Sequence, residues 1–355
     1  MASKKKLLQA AAGAAGGEVL DIDDVFSTYL WEGNSTASRD IVNGIDLAGE
    51  GGITWIKCRT VAESHGVYTT DRGANKTLLT DASDAEDTIG TTVFESFNSD
   101  GFTVGTHGRT NTSGRDYVSW TFRKAPKFFD VVTYTGDGVA GRTVSHSLGA
   151  NVGTLIVKKT NSTDNWFVWH RGLTDATYRI MLNSTSAETQ QTNAWNSTAP
   201  SSTEFTLGDN GNTNASGDTY VAYLFAHNDG DGEFGPNGDQ DIIKCGSYTG
   251  NASTDGPDVN LGFEPQWVMI KNATSSADWM IFDVMRGIVT GGNDALLNAN
   301  TSVAENNLND FFSVTSTGFK LGTIGYGATD TSGNTYIYMA IRRGPLAAPE
   351  SATDV

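Results

Sequence analysis

One segment occurs three times in this chain, and it restricts the fold more than any other feature. The first copy reads N-T-S-G-R-D-Y-V-S-W-T-F-R, from Asn111 to Arg123. The second reads N-A-S-G-D-T-Y-V-A-Y-L-F-A, from Asn214 to Ala226, and the third reads D-T-S-G-N-T-Y-I-Y-M-A-I-R, from Asp330 to Arg342. Each copy is a Ser-Gly turn that leads into an alternating pattern, which predicts a β-strand.

The alternation also predicts which side chains of each strand are buried. Side chains two positions apart point to the same face of a strand, so the apolar ones should line a core. The opposite face becomes more apolar in the second and third copies, which indicates that it is covered too. The expected core triplets are Val118, Trp120 and Phe122, then Val221, Tyr223 and Phe225, then Ile337, Met339 and Ile341.

Other landmarks surround each copy in the same order. They are an apolar strand with a lysine near its end, an Arg-Gly pair, a leucine strand, an Ala-Glu pair and Phe-x-x-Gly. A repeat of roughly 100 residues indicates duplicated domains rather than a solenoid of small units. The recurring arginines and glutamates are interpreted as structural ion pairs or turn hydrogen bonds rather than as a binding site, since a residue kept in all three copies serves the fold. These residues are Arg72, Arg171 and Arg286, with Glu86, Glu188 and Glu305.

The composition agrees with a strand-rich chain. The 355 residues include 41 glycines and only 7 prolines, and Ser, Thr, Asn and Asp separate short apolar runs. This pattern predicts an all-β fold with many turns. We expect three tandem, internally homologous β-sandwich domains of jelly-roll or lectin-like type, preceded by a short arm. The predicted divisions are an arm at 1–17, repeat 1 at 18–127, repeat 2 at 128–241, repeat 3 at 242–345 and a tail at 346–355.

Charge and cysteine usage exclude several functions. The net charge is −17, whereas a nucleic-acid binder needs a basic surface to neutralise phosphates. We therefore expect no nucleic-acid partner for the folded part. No run is long and apolar enough to insert into a membrane. The two cysteines, Cys58 and Cys245, each follow an apolar run, and we interpret them as buried free thiols rather than as a disulfide.

The N-terminal arm is a candidate docking element. It carries a basic cluster and two large apolar side chains, but the apolar part is too short for a signal peptide. An acidic partner with an apolar slot would hold it, and a disordered tail is the alternative. The docking residues are Lys4, Lys5, Lys6, Leu7 and Leu8.

An acidic loop follows the second copy of the repeated segment. It reads H-N-D-G-D-G-E-F-G-P-N-G-D-Q-D from His227 to Asp241. Calcium binds carboxylate-rich loops, but Phe234 and Gln240 stand where the EF-hand pattern needs glycine and glutamate. The failed pattern favours a solvated linker over a calcium site, and otherwise no cofactor is expected. The candidate ligands are Asp229, Asp231, Glu233, Asp239 and Asp241.

No motif points to catalysis, so we expect a protein that is not an enzyme. A depolymerase is the lowest-ranked alternative, because the geometry of a glycosidase carboxylate pair is not visible in sequence. The five histidines share no landmark position, and no G-x-S-x-G elbow accompanies them. Glycan binding remains open, because sugar sites use aromatic platforms. Trp31, Trp169 and Trp195 are the candidates since they lie outside the triplicated strands, although core packing is the alternative for each.

Long stretches of the chain resemble a module that is widespread in tailed bacteriophages, especially marine ones. They are Phe129 to Gly149, Tyr220 to Pro236, Cys245 to Pro257 and Tyr336 to Pro345. Repeat 1 is similar to a related module through T-W-I-K, D-R-G-A-N-K and S-F-N-S-D-G-F-T-V-G. The opening K-L-L-Q-A-A-A-G also resembles the start of several phage virion proteins.

The resemblance implies a non-enzymatic structural component of a virion, in the tail or tail fibres, that is made in the host cytoplasm. Its partners would be other virion proteins and further copies of itself in a symmetric oligomer. Two alternatives are a lectin-like module that binds a host surface glycan and a capsid decoration or head-fibre protein. The resemblance supplies no catalytic residues.

Overall fold

Antiparallel strands are the dominant regular structure of the described residues, which confirms the predicted all-β class. The computed structural model describes residues 19–344 except 89, 91, 289 and 323–326. The described helices are single turns: α1 (Ile22–Val25), α2 (Leu47–Glu50), α3 (Gly211–Asn214) and a 3-10 turn (Thr70–Arg72). None of the helices in the described part of the chain has the length and hydropathy to cross a bilayer. The predicted docking residues of the arm and the tail 346–355 lie outside the described residues.

Repeat 1 forms two sheets. The main sheet has six strands in the order β1-β9-β3-β4-β5-β6, and the second has the order β2-β8-β7. The strands are β1 (Phe26–Glu32), β2 (Arg39–Val42), β3 (Gly52–Cys58), β4 (Gly66–Thr69), β5 (Lys76–Leu79), β6 (Asp87–Thr88), β7 (Phe94–Asn98), β8 (Gly101–Val104) and β9 (Asp116–Arg123).

Repeat 2 follows the same plan. Its main sheet has the order β10-β17-β12-β13-β14-β15, and β11 pairs with β16 in the second sheet. The strands are β10 (Phe129–Thr135), β11 (Arg142–Ser145), β12 (Val152–Lys159), β13 (Phe167–His170), β14 (Tyr178–Met181), β15 (Thr189–Gln190), β16 (Glu204–Leu207) and β17 (Thr219–Ala226).

Repeat 3 has a main sheet of five strands, in the order β18-β25-β20-β21-β22, and a second sheet in the order β19-β24-β23. The strands are β18 (Ile243–Thr249), β19 (Asp258–Asn260), β20 (Pro265–Asn272), β21 (Met280–Asp283), β22 (Leu297–Asn298), β23 (Phe312–Thr315), β24 (Gly318–Leu321) and β25 (Thr335–Arg342). The repeated segment therefore supplies the strand next to the edge of every main sheet: β9, β17 and β25.

The register of that strand is equivalent in the three repeats. Its tyrosine lies opposite an aromatic side chain of the edge strand in each case, and the two rings stack. The ring centroids are 5.5 Å apart for Trp31 and Tyr117, 5.1 Å for Tyr134 and Tyr220, and 5.1 Å for Tyr248 and Tyr336. Trp31 is thus the counterpart of two tyrosines, a correspondence that the sequence conceals.

The apolar triplets of these strands are buried in one continuous core, as their alternation predicts. That core is shared by all three repeats rather than enclosed within each. The Phe122 ring lies 5.3 Å from Phe225 of repeat 2 and 6.0 Å from Trp267 of repeat 3. The opposite faces of β9 and β25 pack in two separate clusters with the second sheets of repeats 1 and 3. Each main sheet consequently carries buried side chains on both faces.

Candidate functional site: the seams between the repeats

Three buried lysines mark the contact zones between the repeats, which are called seams below. Lys57, Lys158 and Lys271 are the penultimate residues of β3, β12 and β20, and their side chains are fully buried. Each ammonium donates to the carbonyl of the following residue and to a carbonyl of another repeat. The acceptors across the seams are Ser302 at 3.1 Å for Lys57, Ser83 at 3.3 Å for Lys158 and Thr185 at 3.2 Å for Lys271.

The direction of these bonds closes the repeats into a ring. Lys57 joins repeat 1 to repeat 3, Lys158 joins repeat 2 to repeat 1, and Lys271 joins repeat 3 to repeat 2. The backbone repeats the pattern with one amide from each Ala-Glu pair. The amide of Glu86 donates to Thr160, that of Glu188 to Ala273 and that of Glu305 to Arg59. The three repeats, which the sequence predicts as domains in series, are therefore bonded to each other in a closed ring with pseudo-threefold connectivity.

The seams change the chemistry of the lysines. Burial lowers the pKa of Lys57, Lys158 and Lys271 from the ordinary value of 10.5 to about 8 in each case. Their direct hydrogen-bond partners are neutral carbonyls rather than carboxylates. Each charge is thus held in the seam by dipoles, at a substantial cost in hydration.

Tryptophans of the same seams bond to neighbouring repeats. Trp166 donates its indole N–H to Leu79 at 2.9 Å, and Trp279 donates to Met181 at 2.9 Å. In the third seam Trp120 donates to the carboxylate of Asp283 at 2.9 Å. A buried donor that has a partner avoids the cost of an unpaired polar group, so these bonds specify how the repeats pack.

Two of the three predicted Arg-Glu pairs are present. Arg72 lies 2.8 Å from Glu86, and Arg286 lies 3.1 Å from Glu305, which also binds Arg59 across the seam. In repeat 2 Glu188 instead accepts from the amide and hydroxyl of Thr174, which is the hydrogen-bonding alternative of the prediction. An exposed arginine gains little from such a pair, and Arg171 is exposed.

An open groove lies in the seam between repeats 1 and 2. Its volume is about 450 Å³, and a neighbouring cavity of about 320 Å³ shares Glu86 as a wall. Glu86 is held there by Arg72 and by Lys76 at 3.0 Å. Hydroxyl groups dominate the lining of the groove, which comprises Arg72, Glu86, Thr133, Tyr134, Thr135, Thr160, Thr219 and Tyr220.

The three tryptophans suggested as sugar platforms are buried, which agrees with the core-packing alternative. Trp31 is 7% exposed, Trp169 6% and Trp195 1%. The indole N–H of Trp31 donates to the carbonyl of Thr110 at 3.0 Å. None of the three rings offers a face on which a sugar could stack.

The acidic loop is tied down by lysines rather than arranged around a cation. Lys127 pairs with Glu233 at 2.6 Å, and Lys244 lies 3.6 Å from Asp229 and 3.7 Å from Asp241. The Asp241 carboxylate also accepts two amides of its own loop, from Gly230 and Gly232. Among the described residues, no three His, Cys, Asp or Glu side chains form a group that could hold a metal ion. The linker interpretation fits these contacts, whereas the predicted calcium site at Asp229, Asp231, Glu233, Asp239 and Asp241 gains no support.

The cysteines and the most buried histidines serve packing. Cys58 and Cys245 are buried free thiols, as predicted, and burial raises the pKa of Cys245 to about 12. His170 bonds through Nε2 to the carbonyl of Tyr338 of the next repeat at 3.0 Å. Burial lowers its pKa to about 4, so its imidazole is neutral at pH 7. A raised thiol pKa keeps Cys245 protonated at pH 7, which is the opposite of the shift that makes a cysteine nucleophilic.

One family model spans the whole ring. It is described as a domain of unknown function, DUF7483, and it matches residues 21–345. The chain belongs to the DUF7483 family. No curated protein and no solved structure matches the DUF7483 chain. A single match across all three repeats agrees with a shared core, because the main sheet of each repeat is buried against the other repeats.

Two sets of important residues in the DUF7483 chain escaped the sequence analysis. In the sequence the seam lysines appear only as polar residues at the ends of apolar strands. Because lysine is rarely buried, nothing in that position indicated that they are. The second set is Asn111, Asn214 and Asp330, which open the repeated segment and are all fully buried. The change from asparagine to aspartate in the third copy was the available signal.

Proposed function

We propose that this protein is a non-enzymatic structural component of a bacteriophage virion, placed in the tail or its fibres. The resemblance of long stretches to phage modules supports the proposal. The observation that carries it is the closed ring, in which buried lysines, tryptophans and glutamates bond the repeats to each other. Repeats that are bonded to each other in this way suit repeated contact with neighbouring subunits of a symmetric assembly.

The N-terminal arm is the proposed anchor. Its basic and apolar residues, Lys4 to Leu8, would dock on an acidic neighbour in the particle, with further copies of the chain alongside. Deletion of residues 2–17 should abolish incorporation into particles while the ring still folds. Particle incorporation is measured by mass spectrometry of purified virions, and circular dichroism of the purified variant controls for folding. Normal incorporation of the folded deletion variant would refute the anchor.

A glycan-binding role is the second candidate, and the groove between repeats 1 and 2 is the observation that favours it. Exposed hydroxyls of Thr133, Thr135 and Thr219 line it beside the Arg72–Glu86 pair. Short polar side chains are suited to sugar hydroxyls, and the Glu86 carboxylate in the wall of the groove is a further acceptor. Binding on a glycan array that Thr135→Arg removes, and that the distant exposed variant Val42→Arg retains, would support this role. A blank array would count against it.

A further inference from the structure

The residues that open the repeated segment occupy one structural position in three copies. The preceding threonine carbonyl accepts from the stacked aromatic of the edge strand in every repeat. These bonds join Trp31 to Thr110 at 3.0 Å, Tyr134 to Thr213 at 2.7 Å and Tyr248 to Thr329 at 2.7 Å. The tyrosine of the following strand, Tyr117, Tyr220 or Tyr336, also closes the same turn in each copy.

A close backbone approach shows how well the three positions correspond. A Cβ on Gly33 would lie 2.1 Å from the carbonyl oxygen of Thr112, and one on Gly136 would lie 2.1 Å from that of Ala215. On Gly250 it would lie 2.3 Å from the oxygen of Thr331. Only glycine fits at these points, so the chain just after Asn111, Asn214 and Asp330 meets the edge strand in the same way.

In repeats 1 and 2 this position needs an amide donor. Asn111 accepts the backbone N–H of Asn34 and donates its Nδ2 to the carbonyl of Thr36 at 2.9 Å. Asn214 accepts the N–H of Asp137 in the same way. Its Nδ2 donates to three oxygens: Gly208 O at 2.9 Å, Val139 O at 3.1 Å and Asp137 Oδ1 at 3.1 Å. The surroundings of Nδ2 are therefore a set of acceptors.

Repeat 3 places a carboxylate in these surroundings. Oδ1 of Asp330 accepts the N–H of Asn251 at 2.7 Å, as its asparagine counterparts accept the equivalent amide, and it also accepts the N–H of Ala252 at 3.2 Å. Oδ2 takes the place of the donating Nδ2. It is buried and has no hydrogen-bond partner among the residues that the structure describes. An acceptor thus stands where its two counterparts donate to carbonyls, and a buried unpaired carboxylate oxygen is costly.

The oxygens that correspond to the acceptors of Asn214 can be identified in repeat 3. Gly322 ends the same Phe-x-x-Gly landmark as Gly208, and its amide makes the equivalent bond to Phe311. Asn251 accepts the amide of Ser253 through Oδ1, as Asp137 accepts that of Val139. The carbonyls of Gly322 and Ser253 and the Oδ1 of Asn251 are therefore the oxygens that correspond to those around Nδ2.

Two further unpaired oxygens belong to the same end of repeat 3. Thr329 Oγ1 is buried without a partner, whereas Thr110 and Thr213 donate to the carbonyls of Val93 and Ala194. Asp310 Oδ1 is also buried and unpaired, and it lies 3.1 Å from the point where Gly322 would carry a Cβ. Unpaired acceptor oxygens are thus gathered where the other two repeats have completed hydrogen bonds.

We propose that the loop end of repeat 3 is a calcium site, with Asp330 Oδ2 as the charged ligand and Asn251 Oδ1, Ser253 O and Gly322 O as neutral ligands. A hard cation replaces the two amide protons that an asparagine would supply, and carboxylate, amide and carbonyl oxygens are the ligands that calcium takes. The bound ion fixes the loop between β18 and β19 to the start of β25. This site is separate from the acidic loop at 229–241.

Thermal unfolding of the full chain in calcium and in chelator tests the site, with Asp330→Asn as the key variant. In the wild-type chain, calcium should raise the Tm, and isothermal titration should count one ion per chain. Asp330→Asn restores the donor of the other repeats, so its Tm should be independent of calcium and higher than that of wild type in chelator. Its calcium affinity should fall by more than about tenfold.

Asn214→Asp is the matched control, since it creates the same carboxylate among the oxygens of repeat 2. Its Tm should fall in chelator and recover in part with calcium. The proposal is overturned if the wild-type Tm is the same in calcium and in chelator. That result is expected if a buried water molecule or a proton on Asp330, rather than calcium, satisfies Oδ2. The proposal is also overturned if the calcium response survives in Asp330→Asn, because the ion would then bind elsewhere.

Discussion

The seams differ from the loop ends, which are the turns that contain Asn111, Asn214 and Asp330, in how far the three repeats share the same residue at equivalent positions. At the seams a buried lysine recurs in every copy, and Lys57, Lys158 and Lys271 make equivalent bonds around the ring. At the loop ends the equivalent position holds asparagine twice and then Asp330. A seam residue must fit another repeat, whereas a loop-end residue must fit only its own. The comparison teaches that a residue in contact with another repeat is restricted to one type, as the seam lysines are. A residue that bonds only within its own repeat can change, and the change can give that repeat a separate role.

Phe122→Ala should have the largest effect on the seam side of this comparison. The ring contacts Phe225 and Trp267 in the other two repeats, so its removal opens a cavity in the shared core. We expect the free energy of unfolding to fall by about 3 to 5 kcal/mol, as for other buried aromatic truncations. Urea unfolding followed by tryptophan fluorescence and by circular dichroism should give coincident curves for this variant.

Val42→Ala, at a side chain that is 55% exposed in the second sheet of repeat 1, is the control and should change stability by less than about 0.5 kcal/mol. If Phe122→Ala destabilised only repeat 1, the two curves would separate. The seams would then be surface contacts between independent domains.

The pH dependence of stability tests the seam lysines. Their folded pKa of about 8 lies below the ordinary value of 10.5, so between these values the unfolded chain binds more protons than the folded one. Stability should therefore rise with pH from about 8 to 9.5, by up to about 5 kcal/mol for the three lysines together. Urea unfolding at pH 7.5, 8.5 and 9.5 measures this.

Lys271→Met should remove about a third of that rise, because it leaves two titrating lysines. Lys320→Met serves as the control and should leave the slope unchanged, because the pairing with Asp255 raises the pKa of this half-buried lysine and keeps it protonated throughout this interval. A stability that is flat or falls over this interval in the wild-type chain would contradict the buried, charged state of the seam lysines.

The smallest effect is expected from the tyrosine hydroxyls, and it sharpens the loop-end side of the comparison. Each hydroxyl accepts one backbone amide and donates to one carbonyl, as Tyr220 does with Ala215 and Gly211. Tyr117→Phe, Tyr220→Phe and Tyr336→Phe should each cost about 1 to 2 kcal/mol, measured by urea unfolding. A much smaller cost for Tyr336→Phe alone would mean that the turn of repeat 3 is not built like the other two.

Much of the local structure could be predicted from the sequence. Alternation placed Trp120, Tyr223 and Met339 in a core, and each of them is buried. The surface that covers each apolar face could not be predicted, because a periodic pattern reports that a face is buried but not by what. The ring closure depends on contacts such as that of Lys57 with Ser302, which are 245 residues apart in sequence.

The roles of the tryptophans and of the loop-end residues could not be predicted from the sequence for a different reason. Trp31 was judged by its position outside the repeated strands, yet it is the counterpart of Tyr134 and Tyr248 with an indole in place of a phenol. Asp330 looks conservative beside Asn214 in sequence. Only the acceptors around Asn214 Nδ2 reveal that this single-atom change reverses the hydrogen-bonding requirement.

Differential scanning calorimetry of the full chain tests the shared core most directly. A ring whose repeats complete each other's cores should unfold in one transition, with a van't Hoff enthalpy equal to the calorimetric enthalpy. Three separable transitions, or a calorimetric enthalpy about three times the van't Hoff value, would mean that each repeat folds alone and would contradict the account.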